Sequence, residues 1–225
     1  MTAILAAPYL LGGCGSDVAG SEALGGSGGP GFVAAGGTGG ARSEGFEPAD
    51  VSPEAAEDLT YLREEEKLAR DVYLSLYDVW NVMVFSKIST SEQRHMDRVA
   101  ETLAAFELPD PVIDDAVGAF TNPEIDALFV QLVSDGLDNE VAALTVGAII
   151  EDLDIRDIQN MAARTDDPTA LATYESLECG SRNHMRAFME QLHIRDADYA
   201  VQYISNELFV EILATAKESC EDGGQ

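Results

Sequence analysis

Basic residues are scarce in this 225-residue chain: 13 Lys and Arg stand against 41 Asp and Glu, a formal charge of -28. A field of that sign repels nucleic acid and anionic membrane and favours cationic ligands. It serves equally as a solvated acidic surface that keeps a protein soluble, and it draws metal cations inward. Long apolar runs are missing too. No stretch approaches the ~20 residues that span a bilayer, so no transmembrane helix is expected. The three cysteines, Cys14, Cys179 and Cys220, have neither zinc-site nor redox-motif spacing, and no Cys-x-x-Cys module is present. Cys179 and Cys220 are placed to pair outside a reducing compartment or to remain separate thiols. Histidine is rare as well, with three copies at 95, 184 and 193.

Glycine is unevenly placed. Fourteen of the 20 glycines fall between Gly12 and Gly45, among Ser, Ala and Thr, a composition that buries too little apolar surface to offset its ordering entropy. Residues 14–50 therefore read as a flexible tether. Before them, residues 1–13 form a short apolar stretch with the outline of an export signal. Leu11-Gly12-Gly13-Cys14 resembles the lipobox of bacterial lipoproteins, although no basic residue precedes it. That resemblance implies a lipidated Cys14, export, and a folded domain over 51–220 held at the cell envelope.

From Pro53 onward the apolar residues recur with helical period and no strand alternation is convincing. Ser52-Pro53 supplies a cap and a proline at the first helical position, predicting a long helix over 53–84. A second opens at Ser89 or Thr90 and stops before Pro109. A short helix over 123–134 ends at Gly136, and long helices follow over 139–163 and 168–192. The tail predicts an extended stretch and one terminal helix. Four long amphipathic helices with one long connection predict an all-α fold, a four-helix bundle whose crossover contains a short helix.

Polar residues interrupt each apolar stripe. The first helix steps through Leu59, Leu62, Glu66, Ala69, Tyr73, Leu76 and Trp80 by threes and fours, so Glu66 lies in the buried line. The second gives Ile88, Glu92, His95, Val99, Leu103 and Phe106; the third gives Leu144, Ala148, Glu151, Ile155 and Ile158, with Asp154 one turn from Glu151. The fourth gives Tyr174, Leu177, Ser181, His184 and Phe188. Isolated ionised carboxylates in a core cost many kcal/mol. Arg70, Arg94 and Arg182 are the alternative partners, but they sit off the stripes. Two divalent ions would neutralise four carboxylates, and oxygen ligands with two imidazoles suit iron or manganese rather than structural zinc. His193 falls on the opposite helix face from His184 and should be a surface residue.

These residues resemble the ferritin-like superfamily, whose di-iron carboxylate members take a Glu from two helices and Glu-x-x-His from two more. Glu66, Ala69 and Tyr73 match the first-helix pattern of bacterioferritins and rubrerythrins, and Glu92 with His95 matches the second-helix motif. Glu-Glu-Glu-Lys-Leu-Ala-Arg-Asp-Val-Tyr at 64–73, Ser-Glu-Gln-Arg-His-Met at 91–96, Glu-Asp-Leu-Asp-Ile at 151–155 and Gly-Ser-Arg-Asn-His at 180–184 are similar to the bacterial family called domain of unknown function 2202. The resemblance implies two ions, iron or manganese, held by Glu66, Glu92, His95, Glu151, Asp154 and His184, with Tyr73 as a proton or electron donor. Ser181 stands where the superfamily has a second-motif Glu; Asp154 or Glu178 replaces it. The implied activity is oxidation-reduction with dioxygen or peroxide and a separate electron donor, in a monomer or dimer. Iron sequestration without turnover and a metal-free interaction bundle displayed at the cell surface are the alternative classes.

Overall fold

A computed structural model describes residues 51–220. The expected signal segment and the whole of the tether, Cys14 included, lie outside these described residues. Within them the protein is all-helical: α1 Pro53–Trp80, α2 Met83–Ala105, α3 Pro123–Gly136, α4 Glu140–Ala162, α5 Pro168–Ile194 and α6 Asn206–Ala214, with no strand among the described residues. No described helix is long and apolar enough to cross a membrane.

Local chemistry sets most boundaries. Ser52 accepts from the backbone N of Ala55 at 3.1 Å, Asn122 from Glu124 at 2.9 Å, Asn139 from Ala142 at 3.0 Å and Asp167 from Thr169 at 2.8 Å. Each thereby satisfies an amide that the first helical turn leaves over. The α1–α2 corner differs from the sequence-based expectation. α1 stops at Trp80, where Asn81 turns left-handed with φ 52°, and α2 starts at Met83 behind Val82, a cap without a side-chain hydrogen bond. A left-handed Asn closes one helix and a backbone turn opens the next, so no Ser or Thr cap is needed. Ser89 and Thr90 sit inside α2 instead, donating back to the Ser86 carbonyl at 3.1 and 3.0 Å.

α1 packs along α2 and α4 along α5, while α2 meets α5 and α1 meets α4, so four long helices share one interior. The long connection carrying α3 lies against α1 and α4. The interior is divided. One apolar cluster includes Ala69, Tyr73, Ile88, Ala148 and Phe188, and another includes Leu62, Val99, Ile158 and Leu177. On each long helix the polar interruptions of the stripe fall between these clusters. The tail is fastened to α5: Cys179 and Cys220 form a disulfide spanning 41 residues, Arg182 and Arg186 grip the Glu218 carboxylate, and Asn183 bonds the Glu218 backbone at both N and O.

Candidate metal centre

α1 is buried on every side from Leu62 to Tyr73, including Glu64, Glu65, Glu66, Lys67 and Asp71. The buried acids divide into two kinds. Three are saturated with donors. Glu64 accepts from the backbone N of Thr121 and Asn122 at 2.5 and 2.9 Å, at the start of α3. Asp71 accepts from Lys67 at 2.6 Å, Arg70 at 2.9 Å and the Gly118 N at 3.0 Å. Asp152 accepts from Tyr199 Oη and the backbone N of Gln202, Tyr203 and Ile204. These acids hold the crossover and the tail onto the helices.

Five others, Glu65, Glu66, Glu92, Glu151 and Asp154, are each at most 1% exposed and keep at least one oxygen without a hydrogen-bond partner. Each such ion costs several kcal/mol unless compensated. Among the described residues no arginine forms an ion pair with them, although the charge of Arg156 reaches Glu65. Arg70 is engaged with Asp71, Gln93 and Asp115, Arg94 with Ser91, and Arg182 with Glu178 and Glu218.

Two imidazoles do approach. Nδ1 of His95 lies 2.7 Å from Glu92 Oε2 and 3.1 Å from Glu66 Oε2; Nδ1 of His184 lies 2.8 Å from Glu92 Oε1 and 3.4 Å from Glu151 Oε2. Glu92 thus spans both rings, whose centroids are 5.3 Å apart. The 2.8 Å contact between His184 Nδ1 and Glu92 Oε1 is close without being a well-directed hydrogen bond. Two atoms with lone pairs placed in this way can also serve as donors to a common cation. One ligand atom each from Glu92, His95 and His184 lies within 4.8 Å of the others. Ligands ~2 Å from a single ion span about 4 Å, so this triad is a possible metal-binding site. An orphaned imidazole nitrogen beside orphaned carboxylate oxygens fits such an ion.

The expected ligands Glu66 and Glu151 reach the same two imidazoles, one on each side of Glu92. Asp154 is buried without a partner and feels the charges of Glu65, Glu66, Glu151 and Glu92. Tyr73 donates to Glu151 Oε1 at 2.5 Å. Burial, then the Glu151 carboxylate, holds its phenol well above the ordinary range, so it remains a proton donor. Ser181 bonds the Leu177 carbonyl at 3.2 Å, and Glu178 points out to Arg182 and Gln159, which removes it as the replacement acid. His193 is exposed. Glu65 is not legible as a site residue in the sequence, because it lies off the α1 stripe. The signal for it is the unbroken burial that its neighbours Leu68, Ala69 and Val72 imply.

Protons supply positive charge where an ion does not. Burial lifts Glu66 to about 7 against an ordinary 4.5, partly offset by His95. Burial would lower His184, but Glu92 and Glu151 outweigh it and raise the ring to about 9. For Glu92 burial is outweighed by His184 and His95, which hold it well below the carboxylate range. The consequences for chelated protein have a definite sign. The stability contributed by Glu66 is complete below about pH 4.5 and lost as pH rises through about 7; that from His184 is complete below 6.5 and lost through about 9. Glu92 acts oppositely, its contribution being lost only in strong acid. Chelated protein should therefore melt at a lower temperature near pH 9 than near pH 5.5, each tenfold difference in proton affinity between folded and unfolded chain being worth about 1.4 kcal/mol. Differential scanning calorimetry across that range checks this; a flat or rising melting temperature would contradict it.

Fold and site together define an all-helical protein with a buried carboxylate–imidazole cluster suited to metal ions. The chain belongs to the family described as "Uncharacterized protein domain (DUF2202)", whose model matches residues 55–216. It is 48% identical over 168 residues to "Uncharacterized protein MJ0754" of Methanocaldococcus jannaschii, covering 75% of this chain and 91% of that protein. The crystal structure titled hypothetical protein MJ0754 from Methanococcus jannaschii matches with a TM-score of 0.74 at 48% identity, over 75% of this chain and 96% of that one. This relative shares the fold, and its name assigns no activity.

Proposed function

We propose that the chain is a di-metal carboxylate protein of the ferritin-like kind, an oxidoreductase that acts on dioxygen or peroxide and ferrous iron. The observation that carries this reading is Glu92 bridging two imidazoles from different helices, its Oε1 and His184 Nδ1 lying 2.8 Å apart without a well-directed hydrogen bond. Glu92, His95 and His184 would hold the ions, with Glu66 completing one side, Glu151 the other, and Asp154 replacing the acid that Ser181 lacks. Iron held by these residues would supply the one-electron ferrous–ferric chemistry that reduction of oxygen or peroxide needs. The chain's residues do the rest. The apolar clusters on either side exclude water. Tyr73 keeps a proton beside Glu151 and is positioned to deliver it. Glu92 lies on the Nδ1 side of both imidazoles, where it would be a fellow ligand of the ions they hold.

Export and lipid anchoring through Cys14 belong to the same proposal. The Cys179–Cys220 disulfide supports an oxidising location. The chemistry is tested by loading protein anaerobically with ferrous iron and mixing it with peroxide in a stopped-flow spectrometer. Ferric absorbance should rise at least about a hundredfold faster than for free ferrous ion, and Tyr73→Phe should slow it by about a hundredfold, the lower end of what one positioned proton donor contributes. Oxidation at the free-ion rate would refute the redox reading and leave only metal binding.

A further inference from the structure

Basic side chains are few in this chain, yet four of the 13 meet at one place. A cleft of about 610 Å³ between α2 and α5 is lined by Lys87, Arg94, Arg186 and Lys217, with Glu190 and Glu218 as its carboxylates. Glu218 is consumed by Arg182 and Arg186. Among the described residues neither Lys87 nor Lys217 has an ion-pair partner, and Arg94 donates only to Ser91, at 3.2 Å. Among the described residues three cations are thus left without an ion pair, in a chain of charge -28.

The floor of this cleft is formed by His95 and His184, each 7% exposed. Their Nδ1 atoms face the buried carboxylates, so the opposite ring edge is turned to the cleft. Gly180, which also lines the cleft, lies against Nε2 and Cε1 of His95, where a methyl group would collide with the ring. A cation on Nδ1 leaves the ring hydrogen on Nε2, and an imidazolium that donates from Nδ1 to a carboxylate also carries a hydrogen on Nε2, so that edge donates outward in both cases. The tail that supplies Lys217 is held in place by the disulfide and by Asn183.

We propose that this cleft is a binding site for a small oxyanion, a carboxylate or phosphate group, seated against the Nε2 edges of His95 and His184 and neutralised by Lys87, Arg94 and Lys217. The anion reaches the imidazoles from the side away from their Nδ1 ligand face. Its binding therefore does not rest on the di-metal reading. A chain of this net charge disfavours anions in general, so saturable anion binding points to a local cluster of cations.

Isothermal titration of the full-length protein with inorganic phosphate and with acetate tests it, in both metal-loaded and chelated samples. We expect one saturable site for at least one of the two, with Kd on the order of 1 mM, in both samples. The better ligand identifies the oxyanion class. Lys87→Ala combined with Lys217→Ala should weaken it at least about tenfold, whereas Arg195→Ala, at an exposed pair with Glu140, should leave it unchanged. Circular dichroism confirms that the variants are folded. No saturable binding, equal affinity in the double variant, or binding confined to metal-loaded protein and indifferent to Lys87 and Lys217 would overturn the proposal.

Discussion

Glu92→Ala should lower the affinity for ferrous or manganous ion by at least about a thousandfold, which is about 4 kcal/mol. Glu92 is the one carboxylate within 2.8 Å of both imidazoles, so its removal takes a ligand from each side at once. Metal binding adds to folding stability as RT ln(1 + [L]/Kd), about 2.7 kcal/mol at a hundredfold excess over Kd. The wild-type melting temperature should therefore rise with metal, and that of Glu92→Ala should not respond. The variant also separates ligation from packing. Without Glu92 the two buried rings lose the charge that keeps them protonated, so the metal-free variant should be less pH-sensitive than the parent. Equal metal-induced shifts in both proteins would exclude Glu92 as a ligand.

Asp152→Ala should destabilise the fold by about 3–5 kcal/mol while leaving metal stoichiometry unchanged. Asp152 follows Glu151 directly and serves the opposite purpose. Its carboxylate is wholly buried and accepts from Tyr199 Oη at 2.7 Å and from the Gln202, Tyr203 and Ile204 amides at 2.6, 3.2 and 2.9 Å. Alanine would take this acceptor from three part-buried amides and a phenol, each loss costing up to about 1–3 kcal/mol before water reaches the freed groups. Asp152→Asn keeps one acceptor oxygen and should lose roughly half as much. Urea unfolding of the three proteins checks the order; a loss below about 1 kcal/mol in the alanine variant would mean that the tail finds other partners.

The contrast between Glu151 and Asp152 explains what can be read in advance. Four of the six helices follow from caps and prolines, because Ser52-Pro53, Asn122-Pro123, Asn139 and Asp167-Pro168 settle local hydrogen bonds before any tertiary contact exists. α2 starts at Met83, well before the expected Ser89, since a left-handed Asn followed by an uncapped Val carries no such signal. Glu66, Glu92, His95, Glu151 and His184 are legible because a period of threes and fours puts each in an apolar line. Glu65 and the saturated acids Glu64, Asp71 and Asp152 are not. The saturated acids face the crossover and tail, segments that wrap α1 and α4 from outside the four long helices, while Glu65 lies near Asp154 and Asp157 of α4; periodicity along one helix says nothing of what covers its other sides. The pairing of Cys179 with Cys220 likewise depends on the path of the tail.

Anomalous diffraction from crystals of the full-length protein grown with ferrous or manganous salt tests the central claim most directly. The account predicts two peaks flanking the Glu92 carboxylate, each ~2 Å from its ligands, one beside His95 and Glu66 and the other beside His184 and Glu151. Anomalous peaks confined to surface acids, with none beside Glu92, would contradict it.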